Sequence, residues 1–295
     1  MTAADLGDLT LEYDIHGEGE PLVLIMGLAT QMIAWSQPFV DRLVGHGYQV
    51  IRFDNRDIGM SSKTQGRPPS RKDVMRSFAG GRFSPSDYVL SDMADDTARL
   101  LDHLDLPSAH IVGASMGGMI AQELAINHPE KVRSLTSIMS TTGNRRYGRV
   151  APSLVPDLRK TMLAPPARSK PEIIERGVLA MRQIAGPHYS EPDVRAMVVE
   201  AAERSTDVVG RVRQLLAINA SPDRTAGLHG VTAPTLVIHG MLDRLVSMSG
   251  GIATAKAIPG SRLLLFPDMA HDIPIPRRDE IADAIHTNAQ RAATS

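Results

Sequence analysis

Residues 110–117 read His-Ile-Val-Gly-Ala-Ser-Met-Gly, a short apolar run that ends in the pattern Gly-x-Ser-x-Gly around Ser115. Apolar side chains at helical spacing follow over residues 116–127, and Pro129 marks the end of that pattern. A serine on so tight a strand-to-helix turn has its hydroxyl raised above the sheet. Small residues must flank it, because the turn brings strand and helix close together. Ser115 is therefore the first candidate for a nucleophile.

Short apolar runs of the same kind recur along the chain, with helical patterns between them. They predict strands at residues 22–26, 49–53, 110–113, 134–139, 235–239 and 262–266. Continuous apolar runs are typical of strands buried on both faces, and their alternation with helices favours an α/β protein with a doubly wound, mostly parallel sheet. The opening segment, residues 9–21, alternates in polarity and then turns, which indicates an antiparallel edge strand or hairpin.

Residues 144–227 break this rhythm, because they carry helical patterns and prolines but no strand-like run. The strand rhythm resumes at Thr235. We therefore predict that this inserted segment (residues 144–227) is a helical cap or lid placed between two strands of one sheet. The α/β core would then consist of residues 1–143 and 228–295.

Composition excludes several classes of function. The chain has 295 residues, with 32 Lys and Arg against 33 Asp and Glu, so its overall charge does not favour binding to nucleic acid or to an anionic membrane. It has no cysteine, which excludes disulfides and thiolate chemistry, and the histidines show no spacing typical of a metal site. The N-terminus does not resemble a signal peptide and no apolar run is long enough to span a bilayer, so we expect a cytoplasmic protein without integral membrane association.

A serine hydroxyl is a weak nucleophile and needs a base that is itself held by a third group. In an open α/β sheet such groups come from loops at the carboxyl ends of the strands, here in the order serine, acid, histidine. Asp243 follows the predicted strand at 235–239, and His271 lies beyond the strand at 262–266. The sequence therefore predicts a catalytic triad of Ser115, Asp243 and His271.

Other residues compete for these roles. Asp268 and Asp272 flank His271, but neighbours in one loop rarely orient the ring from behind, so Asp243 is favoured as the acid. His239 stands at the end of its strand and is expected to be a buried, hydrogen-bonded structural residue.

A tetrahedral intermediate also needs N–H donors for its oxyanion. One is expected to be the amide of Met116, directly after the nucleophile. The other should come from the loop after the strand at 22–26, where Leu28 follows Gly27.

Substrate contacts are harder to locate, because specificity lies in the packing of the inserted segment over Ser115. Asp54 and Arg56, in a polar loop, are expected to form a structural pair that braces the loop. The candidates for pocket residues, each of which could equally be a packing residue, are Trp35, Tyr147, Met162, Met181, Ile184 and Tyr189.

Four motifs together resemble those of the α/β-hydrolase superfamily: GASMGG at 113–118, DNRDIGMSS at 54–62, HGMLD at 239–243 and DMAHD at 268–272. The combination of LIMG at 24–27 with the polar loop is similar to the aclacinomycin methylesterase branch and to related actinobacterial esterases and lipases. The chain departs from the usual family pattern in having Met26 before Gly27 instead of histidine, and Asp57 instead of glycine. The resemblance implies the α/β-hydrolase fold and a hydrolase that needs no cofactor and acts through an acyl-serine intermediate.

We therefore expect a serine hydrolase, of the carboxylesterase or lipase type, that acts on a small-molecule ester. The same triad also serves thioesterases, carbon–carbon bond hydrolases and cofactor-free perhydrolases. A hypothesis of another class is a ligand-binding, receptor-like protein with little turnover. The sequence indicates neither the acyl and alcohol groups nor the oligomeric state.

Overall fold

The computed structural model describes residues 2–77, 85–164, 167–207 and 209–294. These residues form eight strands: β1 (Thr2–Asp5), β2 (Thr10–His16), β3 (Glu20–Ile25), β4 (Tyr48–Phe53), β5 (Ala109–Ala114), β6 (Val132–Ile138), β7 (Thr235–Gly240) and β8 (Arg262–Phe266). They form one sheet in the order β1-β2-β4-β3-β5-β6-β7-β8. The pairings of β1 with β2 and of β2 with β4 are antiparallel, and the others are parallel. The predicted mostly parallel sheet is confirmed.

The six predicted strands are present, with ends that differ by no more than two residues from the prediction. The opening segment contains β2, which pairs on both sides and so is not the edge of the sheet. The edge strand is β1, which forms the hairpin with β2. Sequence patterning missed β1 because only Ala4 of its four residues is buried, so it carries no apolar run.

Helices cover both faces of the sheet. Those in the described residues are α1 (Gln37–Gly45), α2 (Arg71–Ser77), α3 (Leu90–His103), α4 (Met116–Asn127), α5 (Val155–Leu163), α6 (Lys170–Ile184), α7 (Glu191–Arg204), α8 (Val209–Ala220), α9 (Thr225–Leu228), α10 (Ser249–Ala257) and α11 (Arg278–Gln290). Successive side chains of β3 enter opposite cores: Val23 and Ile25 pack with α3 and α4, whereas Leu22 and Leu24 pack with α1 and α11. This two-sided burial explains the continuous apolar runs. Within the described ranges, no helix is both long enough and apolar enough to cross a membrane.

In the described residues between β6 and β7, the regular elements are the helices α5 to α9, joined by loops, and no strand is present. Its helices α6 and α7 pack against each other, and α8 packs against α2 of the core. The short helix α9, at the end of the segment, packs against α4 and α10. The last part of the inserted segment is thus seated on the core, close to the helix that follows Ser115.

A buried ion pair joins the inserted segment to the core. Asp54, at the end of β4, is fully buried and accepts a hydrogen bond of 2.7 Å from the guanidinium of Arg204 on α7. Arg204 also donates to the side chain of Gln31 (2.6 Å), which in turn donates to the carbonyl oxygen of Ala201 (2.8 Å). These bonds hold the C-terminal end of α7 against the loop that follows β3.

The expected pairing of Asp54 with Arg56 is therefore wrong. Arg56 binds Asp96 on α3, with its Nη2 atom 2.6 Å from Oδ1, because the chain turns after β4 and places the two side chains toward different helices. Both residues are structural, but they brace the loop against separate partners.

We expect Arg204→Met to lower the free energy of unfolding by about 3 kcal/mol, because it leaves the buried Asp54 carboxylate without its counter-charge. Adding Asp54→Asn should restore most of the loss, since the remaining side chain is then neutral. Urea denaturation of the wild type, both single variants and the double variant measures these free energies of unfolding. A loss below about 1 kcal/mol for Arg204→Met would show that the pair contributes no more than an exposed one.

Candidate active site

Ser115 lies in the turn between β5 and α4, with a backbone φ of 56° and ψ of -118°. A positive φ is rare for a residue with a side chain, so the turn holds Ser115 in a strained conformation. Two glycines permit this turn: a Cβ at Gly113 would lie 2.1 Å from the carbonyl oxygen of Gly117, and a Cβ at Gly117 would lie 2.0 Å from that of Ile25. Larger residues at these positions would push the strand and the helix apart.

The structure brings Ser115, His271 and Asp243 together. His271 follows β8, and its Nε2 atom lies 2.9 Å from Oγ of Ser115. Its Nδ1 atom lies 2.7 Å from Oδ2 of Asp243, which follows β7. The other carboxylate oxygen, Oδ1, accepts hydrogen bonds from the amides of Leu245 (2.9 Å) and Val246 (2.8 Å). The carboxylate is therefore fixed on both oxygens, and the three side chains form one continuous series of hydrogen bonds.

The carboxyl group of Asp243 is buried and ionised. Burial by itself would raise its pKa, but the neighbouring His271 and the hydrogen bonds from His239 and His271 outweigh burial and hold the pKa of Asp243 at about 2. His239 is fully buried, and its Nε2 atom lies 2.7 Å from the carbonyl oxygen of Val246 and 3.3 Å from Oδ2 of Asp243. It is the buried, hydrogen-bonded histidine that the sequence predicted.

The two rival acids have other partners. Asp268 accepts a hydrogen bond of 3.1 Å from the guanidinium of Arg277, and Asp272 accepts one of 3.2 Å from the amide of Gly186. Asp243 is therefore the carboxylate that the geometry favours for the ring of His271. Among the residues that the structure describes, no group of three or more histidine, aspartate or glutamate side chains is arranged to hold a metal ion.

Two backbone amides lie beside the nucleophile. Met116 is the first residue of α4, where the helix dipole favours a negative charge, and Leu28 follows Gly27 in the loop after β3. A Cβ at Gly27 would lie 3.6 Å from Oγ of Ser115, so this loop passes directly over the nucleophile. Within the described part of the chain, neither the Leu28 amide nor the Met116 amide has a protein acceptor. Both amides can therefore donate to a bound oxyanion.

The predicted substrate contacts differ in how far they are buried. Trp35 is 1% exposed and stacks on Phe39, with ring centroids 5.5 Å apart, which is the packing of a core residue. The side chain of Met162 lies outside the described residues. The other candidates are partly or largely exposed on the inserted segment: Tyr147, Met181, Ile184 and Tyr189.

A cavity of about 420 Å³ separates the inserted segment from the loop that carries the acid. The inserted segment is tied down at this edge, because the amide of His271 donates to the carbonyl oxygen of Ile184 (3.1 Å) and the guanidinium of Arg244 donates to that of Gln183 (2.8 Å). None of the six predicted contacts lines this cavity, to which the inserted segment contributes only the three residues that directly follow Ile184. Its lining residues are Ala185, Gly186, Pro187, Met241, Leu242, Asp243, Arg244 and Ala270.

Two side chains that hold the loop beside Ser115 were not predicted. Asn55 donates to the carbonyl oxygen of Met26 (2.9 Å), and Gln214 accepts from the amide of Ala29 (2.9 Å). Asn55 belongs to the polar loop motif, so the sequence offered a signal for it. Gln214 stands in a helix without any motif, and one sequence gives no signal for it.

The sequence matches the alpha/beta hydrolase fold family over residues 20–277. It is 30% identical over 289 residues to Rhodomycin D methylesterase DnrP of Streptomyces peucetius, with 91% of each chain covered. In structure it is similar to the enol-lactonase of Burkholderia xenovorans LB400, with a TM-score of 0.73, 23% identity and 100% of both chains covered. It is also similar to the esterase EaEST of Exiguobacterium antarcticum, with a TM-score of 0.75, 20% identity and coverage of 98% and 99%.

The two structural likenesses, at these identities, show the fold. The family match spans most of the core and includes the turn around Ser115 and the loops that carry Asp243 and His271. Together with the sheet order and the strained turn, it confirms the superfamily that the four motifs predicted. The chain belongs to the α/β hydrolase fold family.

Proposed function

We propose that this chain is a serine hydrolase that cleaves carboxylic esters of small molecules through an acyl-serine intermediate. The observation that carries the proposal is the hydrogen-bonded series from Asp243 through His271 to Ser115. In this arrangement a base is in contact with the nucleophile and an ionised acid is in contact with the base, which is what activation of a serine requires.

In the proposed cycle, Oγ of Ser115 attacks the ester carbonyl carbon while its proton passes to Nε2 of His271. The carbonyl oxygen becomes an oxyanion and accepts hydrogen bonds from the amides of Leu28 and Met116. The bond to the alcohol oxygen then breaks, and the alcohol leaves with the proton from His271. Water attacks the acyl-serine, gives its proton to His271, and the collapse of the second adduct releases the acid and restores the hydroxyl of Ser115. The cycle needs no cofactor.

Asp243 acts on the base. Its ionised carboxylate accepts a hydrogen bond from Nδ1–H of His271, so that Nε2 carries the lone pair that faces Ser115, and it stabilises the imidazolium that forms during attack. The bonds from Leu245 and Val246 keep the carboxylate in this orientation.

We propose that the inserted segment acts as a cap that sets the substrate range, between core segments 1–143 and 228–295. Its residues Ala185, Gly186 and Pro187 border the acid loop, and its Ile184 carbonyl oxygen accepts a hydrogen bond from the amide of His271 (3.1 Å), so the segment lies against the loops of both the acid and the base. Because a 30% identical relative is named as a methylesterase, a methyl ester belongs among the first substrates to test.

A panel of p-nitrophenyl esters of increasing acyl length, run beside a methyl ester and a thioester, tests the proposal. We expect ester turnover that stops when a fluorophosphonate labels Ser115. Faster turnover of the thioester would favour the thioesterase alternative. Labelling of Ser115 without turnover of any ester would favour the ligand-binding alternative.

The pH dependence of kcat/KM is a further prediction. His271 must be unprotonated to accept the proton of Ser115, so activity should fall on the acid side with a single ionisation. Asp243 should add no second step between pH 5 and 9, because its pKa is held at about 2, below its ordinary value of 3.8. The stability that Asp243 contributes is accordingly present above about pH 4 and lost as the pH falls toward 2.

Initial rates on an activated ester from pH 5 to 9, with circular dichroism at each pH as the control for folding, measure this profile. A profile that is flat over this range argues against a histidine base. An acid limb that falls with a slope of two shows that a second group titrates with the base.

A further inference from the structure

The loop beside the nucleophile, residues 26–30, is held from two sides. On one side, the side-chain amide of Asn55 donates to the carbonyl oxygen of Met26 (2.9 Å). On the other side, Oε1 of Gln214 accepts from the amide of Ala29 (2.9 Å). The peptide that carries the Leu28 amide lies between these two anchors. Its direction is therefore fixed by the two side chains together with the bond from the amide of Thr30 to the carbonyl oxygen of Gly27 (3.3 Å).

The loop contains a strained residue and therefore needs these anchors. Ala29 has a φ of 61°, a conformation that a residue with a side chain adopts only when its surroundings impose it. Within the loop, the hydroxyl of Thr30 donates to the carbonyl oxygen of Leu28 (3.0 Å). The loop thus has bonded groups on both sides of the Leu28 amide, while that amide itself keeps no protein acceptor among the described residues.

Gln214 is built into this contact. It is fully buried on α8, and its Nε2 atom donates to the carbonyl oxygen of Arg56 (3.0 Å), so both ends of its side-chain amide are bonded. A buried amide with both groups satisfied is rigid, because leaving either group unpaired costs about 1–3 kcal/mol. Gln214 therefore transmits the position of α8, and of the polar loop under it, to the loop beside Ser115.

We infer that Gln214 is a positioning residue for the reaction: by holding the Ala29 amide, it aims the Leu28 N–H at the place where the oxyanion forms. In the described structure the side chain of Gln214 bonds to Ala29 and Arg56 and not to Ser115, so it acts through the loop. The inference rests on the proposed function, because it assigns Gln214 a part in the same oxyanion site. It also means that a helix of the inserted segment contributes to the rate of the chemical step as well as to substrate choice.

Two substitutions test this inference. Gln214→Met and Gln214→Asn both release the Ala29 amide, the first by removing the polar groups and the second by shortening the side chain. We expect both to lower kcat by about 10- to 100-fold with KM changed by less than about threefold.

The matched control is Asn288→Leu. Asn288 is another buried amide, on α11, that donates to the carbonyl oxygens of Leu135 (3.0 Å) and Pro234 (3.1 Å) below the opposite part of the sheet. Its loss should lower the melting temperature and leave kcat near the wild-type value. A loss of kcat in Asn288→Leu as large as in Gln214→Met would reduce the role of Gln214 to general stability.

A second readout separates positioning from folding. A boronic acid that adds to Ser115 forms a tetrahedral anion and uses the same donors. Its inhibition constant should therefore rise in Gln214→Met by the factor by which kcat/KM falls.

If one of the variants does not fold, the other still reports on the released Ala29 amide. Unchanged kcat in the folded variants, beside an active wild type, overturns the inference and leaves the proposed function intact; a wild type that cleaves no ester overturns the proposed function itself.

Discussion

Ser115→Ala is expected to lose at least about 10⁴-fold in kcat on an activated ester while its fold and melting temperature stay close to those of the wild type. The substitution removes only the hydroxyl, which lies 2.9 Å from Nε2 of His271. His271→Ala should lose a similar factor, because the hydroxyl then has no base. The double variant should be no slower than either single variant, since the triad acts as a unit.

Asp243→Asn extends the same test to the acid. An amide at this position can donate to Nδ1 of His271 and so stabilise the wrong tautomer, for which a loss of about 10⁴-fold in kcat is expected. The matched controls are Asp268→Asn and Asp272→Asn, which change acids of the same loop that bind Arg277 and Gly186 instead. If Asp243→Asn kept near-wild-type turnover while one of these controls lost it, the acid would be assigned wrongly.

Leu28→Pro is expected to lose about 10²- to 10³-fold in kcat, because proline deletes the backbone donor that we assign to the oxyanion. Leu28→Ala keeps the N–H and should be mild, since the side chain serves only for packing. Ester turnover is the readout, because fluorophosphonate labelling itself uses the oxyanion donors.

Proline can also distort the loop, so circular dichroism and a melting curve must show that Leu28→Pro is folded before its rate is interpreted. A folded Leu28→Pro enzyme with unimpaired turnover would mean that the second donor lies elsewhere. The neighbouring Ala29 amide would be a poor substitute, because it already donates to Gln214.

The parts of this molecule that were predictable from sequence are those set by short-range sterics and periodicity. The turn around Ser115 could be predicted because Gly113 and Gly117 lie two residues before and after it. At these positions only glycine, which has no Cβ, allows the strand and the helix to pack closely. The candidate acid and histidine could be predicted because each follows an apolar run, and the loops after parallel strands lie at one edge of the sheet.

The parts that were not predictable depend on contacts between distant segments. Gln214 meets Ala29 across 185 positions, and Arg204 meets Asp54 across 150. Such pairs leave no spacing in the sequence, because they exist only once the inserted segment has packed on the core. For the same reason the pairing of Asp54 with Arg56 was wrong: nearness along the chain did not decide which helix each side chain would face.

The most direct test of the central claim is mass spectrometry of the protein quenched during turnover of a p-nitrophenyl ester, followed by peptide mapping. We expect a mass increase of one acyl group on the peptide that contains Ser115, formed as fast as the first p-nitrophenol is released and absent from Ser115→Ala. Wild-type turnover without an acyl group on Ser115, or an acyl group that maps to another residue and persists in Ser115→Ala, would contradict it.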